Sequence, residues 1–387
     1  MQIISLSKQS WSGGPLMSRQ GLCMAFSKLC RVLYAWETQH LLARGWRGLL
    51  EVPGALEVSP MLTVYRPPQC LSSIPWRPRL DSWLTKRRIR CLRRAADRQP
   101  DNPRVLYIWE PTFVHYVGAF GEDLVCYHVY DLHSAFAANE EDRKRVVAAE
   151  KRLLARADVV VTASRSLAEC LGVGNRAVHC PAGVDQRFID RVEGAAGMKP
   201  ADLPSGGPII GYSGALNSKL DLDVLEELAV ARPDWHIVTV GRMALAPDDA
   251  ERFERLTSRP NFHYLGSKPW DRLHEYVMAF DVALMCFRET AWTRFCEVPL
   301  KAFEYMAAGK PVVGSALPYV NNLEGLILRA NSPQEFVQKV EQALAEDCAS
   351  LAARRVAVAK QNTWDSRARV VMNAIKAQLA AKGFCAE

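Results

Sequence analysis

Short apolar runs alternate with stretches of helical periodicity along the whole chain. Buried-strand patterns occur in the first half at residues 3–6, 104–109 and 124–129, with amphipathic stretches between them. The second half restarts the same alternation at residues 208–212 and continues to a last helical stretch at 364–381. Because parallel strands need a crossover connection that is usually a helix, this alternation predicts an α/β protein with parallel sheets.

The length and one break in the pattern predict two domains. A chain of 387 residues can form two domains that each bury a full core. Residues 190–207 are rich in Gly, Pro, Ala and charge, and they are the predicted linker. We therefore expect an N-terminal domain over residues 1–189, a C-terminal domain over 208–362 and a separate last helix over 363–387.

The composition is that of an ordinary globular protein, with 24% charged and 49% hydrophobic residues. No run of 18 or more apolar residues occurs, so we expect no membrane-spanning helix. The first residues have neither a basic leader nor a long apolar stretch, and they do not resemble a signal peptide. Eleven scattered cysteines without a C-x-x-C pair favour reduced thiols and a cytoplasmic protein.

The net charge of +7 is concentrated in residues 77–98, which hold nine Arg and Lys against two Asp. Trp83, Leu84, Ile89 and Leu92 lie close to helical spacing among these charges. A basic amphipathic helix of this kind fits an anionic membrane surface or a lipid-linked acceptor. The alternative is that its apolar stripe packs on its own domain. Nucleic acid is disfavoured, because no recognisable nucleic-acid module accompanies the charge.

Residues 281–315 form the most informative segment. They predict a buried strand, a polar loop, a short helix and a second buried strand that begins near Pro311. Pro299 at the first helical position and Gly309 just past the last one are the expected start and stop signals. Since the helix follows a strand end, its first turn is predicted to face the crevice where open parallel sheets bind ligands.

This short helix carries the groups that a nucleotide sugar requires. The backbone amides of Leu300 and Lys301, at its positive dipole end, suit a diphosphate. Glu304 lies about one and a half turns into the helix, and its carboxylate can accept hydrogen bonds from two ribose hydroxyls. The segment therefore predicts a donor site for a nucleotide sugar.

The same segment resembles the donor-site signature of GT-B fold glycosyltransferases of the retaining family four, in a bacterial polysaccharide-biosynthesis branch. Weaker resemblances cover residues 181–189 and 265–287. The matching residues are Pro299, Leu300, Lys301, Phe303, Glu304, Tyr305, Ala307, Gly309, Lys310, Pro311, Val312 and Val313.

The resemblance implies two Rossmann-like domains with parallel sheets that face a central cleft, with a last helix that crosses back to the first domain. It also implies a glycosyltransferase that moves a sugar from a nucleotide-sugar donor to a glycan or lipid-linked acceptor in cell-surface polysaccharide biosynthesis. The transfer would retain the anomeric configuration. No metal and no other cofactor is expected from this resemblance.

Two departures from the family pattern affect the predicted site. The family usually has a second Glu eight positions before the ribose-binding one, where this chain has Cys296. Glu297, one residue later, is the candidate substitute and is included among the catalytic candidates.

The second departure concerns the cations that hold the diphosphate. The family commonly has an Arg soon after the strand end at Gly214, and this chain has Ala215 there. Gly214 and Lys219 remain donor-binding candidates, although Lys219 is not at the usual spacing. Arg242 and Arg288 each follow a predicted strand end and are alternative cations.

Four further candidates belong to the first domain. Gly13 and Gly14 follow the first predicted strand and would allow close approach of the donor to the backbone. Asp131 and His133 follow a later strand, near the place of a His-Asp pair in many family members, and are candidate catalytic residues that orient a sugar.

Two alternatives to a glycosyltransferase remain open. One is a sugar-nucleotide epimerase of the same architecture, which would need a dense set of acid and base groups. The other is a catalytically degenerate, membrane-associated scaffold, which the changes at Cys296 and Ala215 would permit. A nicotinamide-dependent dehydrogenase is disfavoured, because the full glycine fingerprint and its acidic residue are absent.

Overall fold

The computed structural model describes residues 1–11, 17–36, 54–71, 74, 77–96, 103–195, 199–318, 323 and 325–384. The predicted donor residues Gly13 and Gly14 lie outside the described residues. The chain forms two compact units, one of Met1–Pro181 with Arg367–Glu387 and one of Ala182–Ser366. Among the described residues, no helix is both long enough and apolar enough to cross a membrane.

The first unit contains an eight-stranded sheet with the order β3-β4-β2-β1-β5-β6-β7-β8. Its neighbouring strands are parallel except for the antiparallel pair β3 and β4. The strands are β1 (Gln2–Ser7), β2 (Arg31–Trp36), β3 (Gly54–Ser59), β4 (Leu62–Arg66), β5 (Arg104–Ile108), β6 (Leu124–Val129), β7 (Val159–Thr162) and β8 (Ala177–His179).

Helices and 3-10 turns connect these strands. The helices are α1 (Ser18–Phe26), α2 (Pro78–Ala95), α3 (Glu140–Arg156) and α4 (Arg165–Cys170), with 3-10 turns at Gln69–Leu71, Pro111–Tyr116, His133–Phe136 and Gly174–Arg176. Ser164 caps α4 by accepting a 3.0 Å hydrogen bond from the Leu167 amide, which is the position expected for a serine before the first helical turn.

The second unit contains a parallel six-stranded sheet with the order β13-β11-β9-β14-β15-β16, and a two-stranded sheet of β10 and β12. The strands are β9 (Ile209–Ser213), β10 (Leu216–Asn217), β11 (His236–Val240), β12 (Met243–Ala244), β13 (Phe262–Tyr264), β14 (Val282–Met285), β15 (Val312–Ser315) and β16 (Ile327–Ala330). The predicted α/β class with parallel sheets is confirmed.

The helices of the second half follow the predicted alternation, with several that the apolar pattern had not indicated. They are α5 (Gln186–Gly194), α6 (Leu222–Ala231), α7 (Pro247–Thr257), α8 (Leu273–Ala279), α9 (Ala291–Phe295), α10 (Leu300–Ala307), α11 (Pro333–Glu346), α12 (Ala349–Gln361) and α13 (Trp364–Ala381), with a 3-10 turn at Trp270–Arg272.

The boundary between the units lies before the predicted linker 190–207. Val184 exchanges backbone hydrogen bonds of 2.9 and 3.0 Å with Asn362 and Trp364, and Phe188 lies in the apolar core of the second unit. Residues 182–189 therefore belong to the second unit rather than to the predicted first domain. Most of α13 belongs to the first unit.

The basic helix predicted at 77–98 is α2, but its apolar stripe does not face outward. Leu84, Arg88 and Leu92 lie four residues apart and are 4%, 1% and 3% exposed. Four-residue spacing places them on one helix face, so this face packs on its own unit. Trp83, by contrast, is 49% exposed and lies on another face.

Candidate functional site

The strand order of the second unit determines where a ligand can bind. From β9 the sheet extends through β11 to β13 on one side, and through β14 to β15 and β16 on the other. Because the connections turn in opposite directions there, the carboxyl ends of β9 and β14 flank the switch point, the usual ligand crevice of an open α/β sheet. The segments after these two strands contain most of the predicted donor residues.

Helix α10 is fixed beside this switch point by its ends and by one tyrosine. Pro299 is the N-cap, with extended backbone, rather than the first helical residue as predicted. Gly309 ends the helix with φ +69°, a conformation that favours glycine. The Tyr305 hydroxyl accepts a 2.8 Å hydrogen bond from the Ser213 amide and donates to the Ser213 carbonyl at 3.3 Å. This tyrosine joins α10 to the end of β9.

Glu304 is a buried carboxylate on α10. It is 8% exposed, and its carboxylate makes no ion pair or hydrogen bond with the described part of the chain. Burial raises the pKa of Glu304 to about 7, although Lys301 attracts its charge; Asp185, the N-cap of α5, repels it. A buried acid without a hydrogen-bond partner is costly, so this side chain remains a candidate to accept hydrogen bonds from a ligand.

Lys301, one turn earlier, is a second charged group that makes no ion pair with the described part of the chain. Its ammonium lies 3.8 Å from the ring centroid of Tyr212 and 5.0 Å from that of Phe287. Burial lowers the pKa of Lys301 to about 7. The amine also lies against Gly214 at the end of β9, where an added Cβ would come within 2.5 Å of Nζ. Gly214, with φ +145°, thus leaves room for this amine.

The other predicted cations, Lys219, Arg242 and Arg288, differ in whether an acidic side chain of the protein compensates their charge. The Lys219 ammonium lies 3.3 Å from the ring centroid of Trp292 and is close enough to Lys301 to lower its pKa. Arg288 makes two hydrogen bonds of 3.0 and 3.2 Å with Asp249, so its charge is compensated. Arg242 is exposed at the start of β12. Of the three, only Lys219 lies near the amine of Lys301.

Glu297 and Cys296 lie in the bend that precedes α10. Both are half-buried, and Cys296 is within electrostatic range of Lys301. The structure therefore places the substituted position of the family pattern beside the predicted donor residues, with Glu297 one residue closer to Pro299.

The first unit has a polar cluster at the corresponding edge of its own sheet, which consists of Arg19, Glu110, Tyr130 and His133. Arg19, on α1, lies 3.4 Å from the Glu110 carboxylate, with its guanidinium 3.7 Å from the Tyr130 ring centroid. The Tyr130 hydroxyl donates to Glu110 at 2.9 Å. These charges are largely satisfied by one another.

The predicted residues His133 and Asp131 belong to this region. The His133 Nδ1 lies 3.6 Å from Glu110, and burial, followed by the charges of Arg19 and Lys8, lowers the pKa of His133 to about 3. Its imidazole is therefore neutral, and its buried Nε2 has no hydrogen-bond partner among the residues that the structure describes. Asp131 is half-buried and lies within electrostatic range of Arg19.

Sequence reasoning missed Arg19 and Glu110. Glu110 comes two residues after β5 and precedes Pro111, so an acidic residue near a strand end was the available signal. Arg19 had no such signal, because the residues between it and β1 do not reveal that it folds back to Gln9, to which it donates a 2.6 Å hydrogen bond.

Comparisons with known proteins agree with the architecture. A family model described as "Glycosyl transferases group 1" matches residues 207–346. The chain is 26% identical to a putative teichuronic acid biosynthesis glycosyltransferase, TuaH of Bacillus subtilis (strain 168), over 68% of this chain and 69% of that protein.

Two solved structures show the same overall architecture at low identity. Sucrose-phosphate synthase from Thermosynechococcus elongatus has a TM-score of 0.71 and 17% identity, and the match covers 99% of this chain and 100% of that one. Anabaena HepE in complex with UDP-glucose has a TM-score of 0.66 and 16% identity, with 97% and 100% covered. At such identities these two likenesses bear on the fold alone.

Proposed function

We propose that this chain is a group 1 glycosyltransferase of the GT-B fold, which transfers a sugar from a nucleoside-diphosphate donor to a glycan or lipid-linked acceptor in cell-surface polysaccharide biosynthesis. The similarity to a teichuronic acid biosynthesis enzyme supports the pathway class. The complex of a structural neighbour with UDP-glucose supports a nucleotide sugar as the donor.

One observation carries the proposal. Among the described residues, neither the Glu304 carboxylate nor the Lys301 amine makes an ion pair or a hydrogen bond, and the two groups lie one helical turn apart at the switch point of the second sheet. A nucleoside diphosphate offers what both lack, because ribose hydroxyls can donate to the carboxylate and phosphate oxygens can receive the positive charge. The first amides of α10, which have no acceptor within the helix, add partial positive charge.

The first unit contributes the candidate groups for the sugar or the acceptor. His133 offers an unpartnered Nε2, which can exchange a hydrogen bond with a sugar hydroxyl. Asp131 and Glu297 are the proposed carboxylates that orient a sugar.

We propose transfer with retention of configuration and without a metal, as the family-four resemblance implies. Lys301, Lys219 and the α10 amides supply positive charge where the leaving diphosphate develops negative charge, and such preorganised charge is usually the largest catalytic contribution. The leaving phosphate can itself accept the acceptor proton. The anomeric configuration of the product, read by NMR, tests retention.

A screen of nucleotide sugars by thermal shift tests the donor assignment. A cognate donor stabilises the folded protein by mass action. Glu304→Gln is expected to abolish this shift while the protein remains folded. Glu275→Gln is the matched control, because Glu275 is also buried but is paired with Arg272 at 2.7 Å. An unchanged donor shift in Glu304→Gln contradicts the proposed site.

We further propose that α2 contacts an anionic membrane surface on the cytoplasmic side, where nucleotide sugars are available. With the inward stripe packed, the remaining contact face consists of exposed cations with Trp83 and Leu80, which are 49% and 44% exposed. Arg87 lies 4.9 Å from the Trp83 ring centroid. Tryptophan beside arginine suits the interface between lipid headgroups and chains.

Co-sedimentation with vesicles tests this contact. Replacing Arg87, Arg90 and Arg94 by Gln is expected to weaken binding to phosphatidylglycerol vesicles, most clearly at low salt. Replacing the exposed Arg143, Arg145 and Arg152 of α3 removes equal charge from another helix and is the control. Equal losses from both helices, or none from either, would contradict the assignment to α2.

A further inference from the structure

Lys301 holds an amine in surroundings that oppose its charge. The Lys301 Nζ lies 3.8 Å from the ring centroid of Tyr212 and 5.0 Å from that of Phe287. Among the described residues, Lys301 makes no ion pair and no hydrogen bond. Aromatic faces attract a cation weakly compared with a carboxylate. The amine is therefore held in place by packing, and its positive charge is incompletely compensated.

The titratable groups around Lys301 supply only part of the missing negative charge, because burial raises the pKa of the Glu304 carboxylate to about 7 and leaves it partly protonated near neutral pH. Each packed element contributes one or more: Tyr212 from β9, Cys286 after β14, Lys219 after β10, Cys296 after α9 and Glu304 from α10. Burial raises the pKa of Cys286 to about 12, and burial also raises the pKa of Tyr212, so both are neutral near pH 7. Lys219 adds a second positive charge.

We propose that Lys301 binds the donor diphosphate through its ammonium group and that the protein takes up a proton at this amine when the donor binds. The inference rests on the proposed function, since it names the diphosphate as the partner that Lys301 lacks. It adds a property that the site geometry predicts: the free site has too little negative charge to keep the amine fully protonated, and the diphosphate supplies it. The proton adds to the amine nitrogen, and no other bond forms or breaks.

The direction of the pH dependence follows from this exchange. Burial lowers the pKa of free Lys301 to about 7, and a neighbouring diphosphate raises it in the complex. Donor affinity is then highest below the free value and falls as pH rises towards the bound value, by up to about tenfold per pH unit. Glu304 complicates measurements near pH 7, because burial raises its pKa to about 7 as well.

Calorimetry at about pH 8 separates the two groups, since Glu304 is then mostly ionised in both states. UDP-glucose is the probe, because its diphosphate diester does not titrate in this range. We expect the binding enthalpy to vary with the ionisation enthalpy of the buffer, with a slope that approaches about one proton taken up per donor. A slope of zero with intact binding overturns the inference and leaves the proposed function standing.

Substitutions at Lys301 test whether the proton taken up on donor binding is bound by its amine. Lys301→Arg keeps a permanent charge and is expected to bind UDP-glucose with no proton uptake, whereas Lys301→Met is expected to bind about 10-fold to 100-fold more weakly. Lys310→Arg is the matched control, because burial also lowers the pKa of Lys310, at the other end of α10. It should keep the full uptake.

The failures are distinguishable. Proton uptake that persists in Lys301→Arg overturns the assignment to Lys301. If UDP-glucose does not bind, the same experiment is done with the nucleotide sugar that the thermal screen selects. If no nucleotide sugar binds, the proposed function fails and this inference fails with it.

Discussion

Charged side chains at the carboxyl edge of the first sheet are paired with one another, whereas those at the carboxyl edge of the second sheet have no such partners among the described residues. At the first sheet, Arg19 and Glu110 lie 3.4 Å apart and Tyr130 donates to the same carboxylate. At the second sheet, the half-buried Lys301 and the buried Glu304 have no such partners among the described residues. The first arrangement is satisfied by the protein itself and holds His133 in place. The second is incomplete within the described part of the chain, and we propose that the nucleotide donor completes it.

Replacing the glutamate at each edge by glutamine tests this difference, and the larger loss of stability is expected at the first sheet. Glu110→Gln leaves the Arg19 charge buried without its partner, which is expected to cost about 3 kcal/mol of stability. Denaturant unfolding checks the loss. Adding Arg19→Met to Glu110→Gln should recover part of it, because the uncompensated charge is gone. A fully stable single variant would show that the two side chains are not coupled.

Glu304→Gln is expected to have the opposite balance of effects. Donor affinity should fall about 10-fold to 100-fold, since charged hydrogen bonds to the ribose are lost. The folded protein should become more stable, because the raised pKa means that ionised Glu304 costs stability. That gain should grow from about pH 4.5 to about pH 7 and then level off. Destabilisation at pH 8 would mean that the carboxylate has a structural partner.

Gly214→Ala tests whether the position of the Lys301 amine depends on the space that Gly214 leaves. The new Cβ would lie 2.5 Å from Nζ and 3.1 Å from Cε at a backbone φ of +145°, so the lysine must move and the backbone is strained. Donor affinity is expected to fall by about tenfold, with a stability loss of about 1 kcal/mol. Gly174→Ala, where no atom lies within 4 Å, is the control. Unchanged affinity would separate Gly214 from the site.

Tyr305→Phe should have a smaller effect on the same edge. It removes the hydroxyl that bonds both backbone groups of Ser213, and the buried amide then lacks its partner at a cost of about 1–3 kcal/mol. We expect lower thermal stability and slightly weaker donor binding, both measured in one thermal-shift series with and without donor. An effect on stability alone would assign Tyr305 a purely structural role.

The smallest expected effect is a gradual loss of folding stability in acid, caused by buried histidines of the first unit. Burial lowers the pKa of His133 and of His128 to about 3, below the usual value of about 6.5. The unfolded chain therefore binds more protons below about pH 6.5, and stability should fall as pH drops from there towards about 3. Replacing His133 by Gln should reduce the slope by about one proton. An NMR titration that shows His133 protonating near pH 6.5 would contradict this.

Local patterns predicted much of the fold. The last helical stretch, 364–381, was identified from periodicity and forms a helix with those bounds. The hairpin of β3 and β4 was missed, because β3 is largely exposed and lacks an apolar run. The unit boundary was also missed, because it depends on Val184 meeting a segment almost 180 residues later, a pairing that no local signal reveals.

The site was predictable only where it follows one segment. Lys301 and Glu304 were named as donor candidates because α10 has clear start and stop signals and carries both side chains. Their relation to Gly214 and Tyr212 depends on the approach of α10 to β9, and the ion pair of Arg288 with Asp249 depends on the position of α7. Such contacts between distant elements decide which charges are free for a ligand.

The most direct test of the central claim is a crystal structure of the protein with its nucleotide donor. The account predicts the ribose hydroxyls within hydrogen-bond distance of the Glu304 carboxylate and the diphosphate against the Lys301 amine, at the ends of β9 and β14. A nucleotide bound elsewhere, with Glu304 and Lys301 still without a partner, would contradict it.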